Sequence, residues 1–312
     1  MSDNKGVDDL VGAIGNLELK EKNSKDHEIS SDSNQDDEEV KKVANWIRES
    51  KNIVIISGAG VSCGAGIPDF RTPGTGLYDN LQEYHLPYPE AIFDVDFYVR
   101  RPHPFLTLAK KIWPGLRHSP TFTHSFVAVL ARKDKLLRNY TQNFDGLELL
   151  ASVPEEKVME CHGHFRSASC ITCSKPMDGI KCKEIILNTN EVPKCDAPKC
   201  NGFVKPDIVF FGEGLPERFF HLLSKDVEEI DLLVVIGTSL HVAPVSNIPS
   251  FVDCRRVLIN RETVGDFSTG SGKDAVILGD CDSTMIRIAK ELGWESEIRD
   301  LNKETFITSL ES

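Results

Sequence analysis

Apolar and polar positions follow two alternating patterns from about residue 40 onward. Ile53-Val54-Ile55-Ile56 is apolar at every position, β-branched and too short for a helix, which is how a strand buried on both faces reads. Comparable runs recur at 136–140, 208–211, 232–236, 257–259 and 275–278. At 40–47, 219–227 and 283–292 the apolar residues instead recur at helical spacing. Buried strands alternating with amphipathic helices predict an α/β fold built on a doubly wound, parallel, Rossmann-like sheet. Two stretches break the alternation. Residues 72–125 are rich in Pro, Gly and aromatics with a helical patch at 104–112, and residues 165–205 are rich in cysteine. Both read as insertions that together form a smaller lobe.

The ends of the apolar runs are small, amide-bearing or charged. Ile56 leads into Ser57-Gly58-Ala59-Gly60, Tyr140 into Thr141-Gln142-Asn143, Ile236 into Gly237-Thr238-Ser239, and Ile259 into Asn260-Arg261-Glu262. Open α/β sheets bind ligands at the carboxyl ends of their strands, so these four ends predict a nucleotide-sized cleft.

The loop from Gly58 to Gly66 follows a buried strand, as a phosphate-cradling turn does. It departs from the dinucleotide fingerprint because Cys63 stands at the third glycine position, and Ile67-Pro68-Asp69-Phe70-Arg71 follows in place of a clean helix start. Taken alone the loop reads equally well as a tight turn. Arg71, which can pair bidentately with a pyrophosphate, and the neighbouring Phe70 favour the nucleotide reading.

Charge changes the picture at one end only. The net charge is −12, and residues 1–39 hold twelve acidic side chains against four lysines. That composition cannot bury enough apolar surface to fold, so residues 1–39 are predicted to be a disordered acidic tail ahead of a domain over 40–300 and a C-terminal extension over 301–312. Within the tail, Leu10, Ile14, Leu17 and Leu19 have the spacing of a leucine-rich export signal, and equally that of a short amphipathic helix. The remaining body is only mildly acidic, which argues against nucleic acid as the main ligand. Met1-Ser2-Asp3-Asn4-Lys5 has neither the basic start nor the apolar stretch of a secretion signal, and no apolar run reaches the roughly 18 residues of a membrane span. Cytoplasmic residence, with passage to the nucleus, is the expectation.

Nine cysteines in such a chain favour a metal over disulfides. Cys170-Ile-Thr-Cys173 and Cys195-Asp-Ala-Pro-Lys-Cys200, separated by 21 residues, supply two ligands per turn to a closed, tetrahedral, structural Zn²⁺ site. Cys182 lies between the pairs as a spare ligand.

Taken in order, the blocks Gly58-Ala59-Gly60-Val61-Ser62, Gly66-Ile67-Pro68-Asp69-Phe70-Arg71, Thr141-Gln142-Asn143-Phe144-Asp145, His162-Gly163, the run from Lys205 to Glu213, Gly237-Thr238-Ser239-Leu240 and Asn260-Arg261-Glu262 resemble the sirtuins over about residues 40–295. The stretch from Tyr84 to Phe93 is similar to the cytosolic, sirtuin-two-like branch. The resemblance implies removal of acyl groups from protein lysine, with NAD⁺ as a consumed co-substrate and nicotinamide, deacylated lysine and O-acyl-ADP-ribose as products. It implies His162 as general base, with His164 as the nearby decoy, and Asn143 as a second catalytic residue. Asn143 and Asp145 would hold the carboxamide with Ile67 and Asp69, and Gln142 would touch the ribose. Phe70 would exclude water, and Gly58, Ala59, Gly60 and Arg71 would line the ribose-phosphate path. Gly237, Thr238 and Ser239 would meet the phosphates, and Asn260, Arg261, Glu262 and Cys281 the adenosine end.

For the substrate, the resemblance implies Val209, Phe210 and Phe211 along an added peptide strand, with Phe93, Phe144 and His162 walling an acyl-lysine tunnel. Family members that prefer acidic acyl groups carry a cation shortly after Arg71. Tyr78-Asp79-Asn80-Leu81-Gln82 has none, so acetyl and longer apolar acyl groups on proteins such as histones or tubulin are expected. Departures from the family pattern are Cys63-Gly64 in the first loop, His241 after Leu240, and four rather than two residues inside the second cysteine pair. Two other readings remain: ADP-ribosyl transfer to protein, and a non-catalytic NAD-sensing zinc scaffold.

Overall fold

The computed structural model describes residues 32–114, 118–189, 191–268 and 272–311. The chain divides into two units, Met1–Gln35 and Asp36–Ser312. Of the first, residues 32–35 are described and are helical. Leu10, Ile14, Leu17 and Leu19 lie outside the described residues.

In chain order the elements are α1 (Asp32–Glu49), β1 (Ile53–Ser57), α2 (Val95–Arg100), α3 (His103–Ile112), α4 (Phe122–Arg132), β2 (Leu136–Thr141), α5 (Leu147–Leu150), β3 (Val158–Glu160), β4 (Gly163–Cys170), β5 (Pro176–Asp178), α6 (Gly179–Glu184), β6 (Val204–Ile208), α7 (Glu217–Glu229), β7 (Leu232–Ile236), β8 (Arg255–Asn260), β9 (Asp274–Leu278), α8 (Cys281–Leu292) and α9 (Glu295–Glu311). Six strands form a parallel sheet in the order β3-β2-β1-β7-β8-β9. This is the doubly wound α/β architecture the alternating pattern predicts. The strand order reverses between β1 and β7, both buried along their whole length, which is where such sheets open a crevice.

The second sheet is small and antiparallel, in the order β5-β4-β6. Its apolar face shares one core with the segment after β1. Phe93, Tyr98, Phe105, Leu108 and Trp113 pack with Phe165, Ile186, Val204 and Phe210. Neither stretch has enough apolar surface for a core of its own, so the two insertions are joined by burial.

The structure departs from the sequence pattern in five features. Residues 208–211 are no strand of the parallel sheet: β6 ends at Ile208 in the small sheet, and Phe211 makes an isolated bridge to Asp94. Conversely, β3 escapes the pattern because three residues carry no periodicity. The predicted acidic tail, residues 1–39, overlaps the first helix. α1 begins at Asp32, where Arg287 of α8 pairs with Asp36 and Asp37, while Val40, Val43, Ala44 and Ile47 enter the main core. Lastly, α9 runs through residue 300, with Ile298 and Leu301 buried, and α4 packs on the large sheet, so residues 122–125 do not belong to the predicted insertion. In both cases amphipathic burial continues past a boundary that composition alone suggested.

Candidate active site

A cleft of about 610 Å³ opens at the β1–β7 crevice. Gly58 and Gly60 are there because nothing larger fits. A Cβ on Gly58 would lie 2.6 Å from Thr238 Cβ, and one on Gly60 would lie 2.7 Å from Gly237 Cα. The two strand-end loops are bound together by the Gly60 N–H to the Gly237 carbonyl at 2.8 Å. Residues Ala59–Ala65 wind as a 3₁₀ turn with Val61 and Ser62 buried, so the loop keeps several N–H groups near the cleft without opening an α-helix.

Of the candidate residues, Gly58, Ala59, Gly60, Asp69, Phe70, Arg71, Phe93, Gln142, Asn143, Phe144, His162, Val209, Phe210, Phe211, Gly237, Thr238, Ser239, Asn260, Arg261, Glu262 and Cys281 all line this cleft. Ile67 and Asp145 line a smaller adjoining pocket of about 80 Å³, which shares Ala59, Phe70, Asn143 and Phe144 with it. His164, Cys63 and His241 do not line either space. Sequence reasoning missed Ser62, His118 and Tyr78 as lining residues. Only Ser62 had a signal, its place in the glycine loop.

His162 follows β3 and is half-buried, with its Nε2 turned away from solvent. Its Nδ1 lies 2.9 Å from the Gln142 carbonyl, an acceptor only, so Nδ1 carries the proton and Nε2 presents a lone pair. Among the described residues no group bonds Nε2. Burial lowers the pKa below the usual histidine value, and the Gln142 carbonyl opposes that in part. The result is a neutral, unencumbered base at the cleft.

Ser62 organises the smaller pocket. It donates to Asp145 Oδ2 at 2.7 Å and accepts from Asn143 Nδ2 at 3.3 Å, while Asn143 Nδ2 also reaches the Gly58 carbonyl at 3.1 Å. Gln142 Nε2 donates to Thr238 Oγ1 at 2.9 Å, tying β2 to β7 across the cleft. The Asp69 carboxylate accepts from Thr72 Oγ1 and from the backbone N–H groups of Thr72 and Arg71. Burial works against its charge, but those hydrogen bonds hold its pKa below the usual value.

The other wall is aromatic. Phe70, Phe93 and Phe144 meet one another at 5.9–6.1 Å between ring centroids, mostly edge to face. Val209 N donates to the His162 carbonyl at 2.7 Å and Phe211 N to the Phe93 carbonyl at 2.7 Å, so the segment after β6 is laced to both sides of the cleft. Phe210 points inward, fully buried, with the Lys205 ammonium 4.6 Å from its ring. Lys205 pairs with Glu213 at 2.9 Å, and Glu213 also accepts from Phe210 N. Phe211 is exposed on the same segment.

The Sγ atoms of Cys170, Cys173, Cys195 and Cys200 lie within 4.8 Å of one another, with the Cys170–Cys200 and Cys173–Cys195 separations 3.7 and 3.6 Å. Four sulfurs about 2.3 Å from a tetrahedral Zn²⁺ stand about 3.8 Å apart, so the set fits that ion. Backbone N–H groups of Thr172 and Ala197 point at Cys170 and Cys195 sulfurs, and Gly202 is required because a Cβ there would lie 2.6 Å from Cys170 Sγ. Cys182 is not part of the cluster. It is buried in the small-lobe core, where desolvation pushes its thiol up to about 12.

Comparison with known proteins extends this geometry. Residues 58–244 match the Sir2 family. The NAD-dependent protein deacetylase hst2 of Schizosaccharomyces pombe is 46% identical over 266 residues, covering 84% of this chain and 79% of that protein. The NAD-dependent deacetylase sir2A of Dictyostelium discoideum is 44% identical over 85% of this chain, which spans about half (54%) of that relative's length. The NAD-dependent protein deacetylase sirtuin-2 of Danio rerio is 43% identical over 84% of this chain and 74% of its own. A match across more than half the sequence, with relatives at these identities over most of its length, means that the chain belongs to the Sir2 family.

Proposed function

We infer that the chain is an NAD-dependent protein-lysine deacetylase. The observation that carries this is His162. Its Nδ1 is fixed by the Gln142 carbonyl and its Nε2 is free, at the junction of the glycine-lined crevice and the aromatic wall. The crevice volume, the glycines that admit no side chain, and the two arginines Arg71 and Arg261 suit a dinucleotide. When bound, NAD⁺ supplies a labile glycosidic bond and an ADP-ribose acceptor for the acyl group.

The chain's own residues then have distinct tasks. Gly58, Ala59, Gly60, Gly237, Thr238 and Ser239 offer N–H and hydroxyl groups to the phosphates, and Asn260, Glu262 and Cys281 flank the adenosine end. Asn143 and Asp145, pre-set by Ser62, hold the carboxamide in the smaller pocket together with Ile67, and Asp69 faces it from the adjoining cleft. Gln142, anchored to Thr238, touches the ribose. His162 Nε2 takes a proton from a ribose hydroxyl. Phe70, Phe93 and Phe144 enclose the acyl-lysine side chain and exclude water. Val209 and Phe211, held by the His162 and Phe93 carbonyls, offer an edge on which a substrate backbone adds as a strand. The Cys₄ set holds a structural Zn²⁺ that fixes β4 and β6.

Acetyl-lysine and longer apolar acyl-lysines in proteins such as histones or tubulin are the substrates we assign, and the cytoplasm, with passage to the nucleus, the compartment. No helix among the described residues is long and apolar enough to cross a membrane. The test is mass spectrometry of an acetyl-lysine peptide with and without NAD⁺, beside His162→Ala. NAD⁺-dependent loss of acetyl with O-acetyl-ADP-ribose formed, abolished in the variant, is the expected result. NAD⁺-derived label retained on protein would replace it with the transferase reading, and NAD⁺ binding without turnover on any acyl peptide would replace it with the sensor.

A further inference from the structure

Behind the smaller pocket lies a buried cluster that the roles above leave unused. Side-chain atoms of His124 on α4, Glu148 on α5 and Asp145 in the turn before it lie within 4.8 Å of one another. His124 and Glu148 are each only 2% exposed. The tautomer of His124 follows from its capping box. The Thr121 backbone N–H donates to His124 Nδ1 at 3.2 Å, so Nδ1 carries the lone pair and Nε2 the proton. That Nε2–H is buried with no acceptor among the described residues. An imidazole so arranged has no free lone pair for a cation, and it faces the buried Glu148 carboxyl and the partly exposed Asp145 carboxylate.

We propose that Glu148 is a positioning residue whose carboxyl carries a proton in the active enzyme, leaving Asp145 the single negative charge behind the smaller pocket. This deepens the functional reading, on which Asp145 holds the carboxamide. Glu148 is surrounded by groups that cannot neutralise it. Ser57 on β1 approaches its Oε1 at 3.4 Å, and Thr141 on β2 hydrogen-bonds it. Cys161 beyond β3 is a buried thiol kept neutral by desolvation. Glu160 on β3 is already held by Arg166 of β4. His124 is driven towards its neutral form by burial, against the pull of Asp145 and of Asp282 on α8. Burial, then the Asp145 charge, push the Glu148 carboxyl up to about 8, with the Thr141 hydrogen bond opposing. The proton is therefore present at neutral pH and lost above that value. Its loss sets two carboxylates against each other beside Ser62, the residue that spaces Asp145 and Asn143.

The experiment pairs kcat/KM for NAD⁺ from pH 6.5 to 9.5 with two readouts that need no turnover: thermal unfolding over the same range, and a carboxyl ¹³C NMR titration of glutamate-labelled protein. The wild type is expected to lose activity with an apparent pKa of about 8. Glu148→Gln, a permanent copy of the protonated form, is expected to keep activity at pH 7 within a few-fold and to lack that alkaline limb. Its melting temperature should exceed the wild type's by a margin that widens as pH rises to about 8 and is constant above it, where folded and unfolded carboxyls are both ionised, and one wild-type glutamate should titrate near 8. An unchanged alkaline limb in Glu148→Gln, a folded variant inactive at every pH, or no glutamate titrating above 6 would each overturn the proposal. An enzyme with no turnover that still shows the displaced glutamate would refute the deacetylase reading and leave the buried proton standing.

Discussion

Gly163→Ala tests the link between fold and chemistry most directly. Gly163 starts β4, opposite Ile208 of β6, at φ +75°. A Cβ there would lie 1.9 Å from the Asp207 carbonyl oxygen. Ordinary C···O contacts are about 3.3–3.6 Å, so the strands must part by more than about 1 Å. The left-handed backbone adds about 1–2 kcal/mol. Parting the strands also breaks the bond between Val209 N and the His162 carbonyl, leaving buried groups unpaired at about 1–3 kcal/mol. A total loss of about 3 kcal/mol or more is expected in denaturant unfolding. Because His162 precedes the displaced residue, its imidazole shifts too, and a 1 Å misplacement costs about 10²-fold in rate. Gly293→Ala is the control: it has the same sign of φ, +74°, but open space around the new Cβ. It should lose about 1 kcal/mol and keep full kcat/KM. Equal stability losses in the two variants, with Gly163→Ala activity within three-fold of wild type, would refute the reasoning.

Other expectations are equally direct. Burial lowers the His162 pKa, and the base acts unprotonated. The acid limb of kcat/KM should therefore fall below pH 6.5, with activity lost as pH drops through it, and His162→Ala should remove about 10²–10⁴-fold in kcat while NAD⁺ still binds, read by calorimetry. Chelation at equilibrium, or Cys195→Ala, should release one zinc per chain by elemental analysis and melt the small lobe first, seen as loss of near-ultraviolet dichroism from Trp113 packed on Phe165. Glu213→Gln leaves the Lys205 ammonium buried with weaker partners. It should cost about 1–3 kcal/mol and raise the peptide KM more than that of NAD⁺, because Glu213 also holds Phe210 N.

The sequence by itself determined the sheet, because strands buried on both faces carry apolar runs, unbroken in β1 and β7 and shorter within β2, β8 and β9. It also determined the zinc ligands, since two cysteines per turn are a local property. The candidate cleft residues were legible as well: they sit at strand ends, where small and polar side chains interrupt apolar runs, and they match the family's motifs in order.

What only the tertiary structure decided was everything that depends on partners distant in the chain. The acidic residues at 36 and 37 fold into α1 because Arg287 meets them from α8, which no local composition reveals. Residues 208–211 read as core strand because apolar side chains look alike on a sheet and on a cleft wall. Phe210 is buried against Phe105 and Tyr98 while Phe211 is exposed, a division set by the second insertion packing on the first. The tautomer of His162 was fixed by a carbonyl twenty residues earlier, and the seat of Glu148 by β1, β2 and α4 closing over it. Hydrophobic periodicity is a one-dimensional signal, whereas proton positions are set by desolvation and by hydrogen bonds that exist only once the layers have packed.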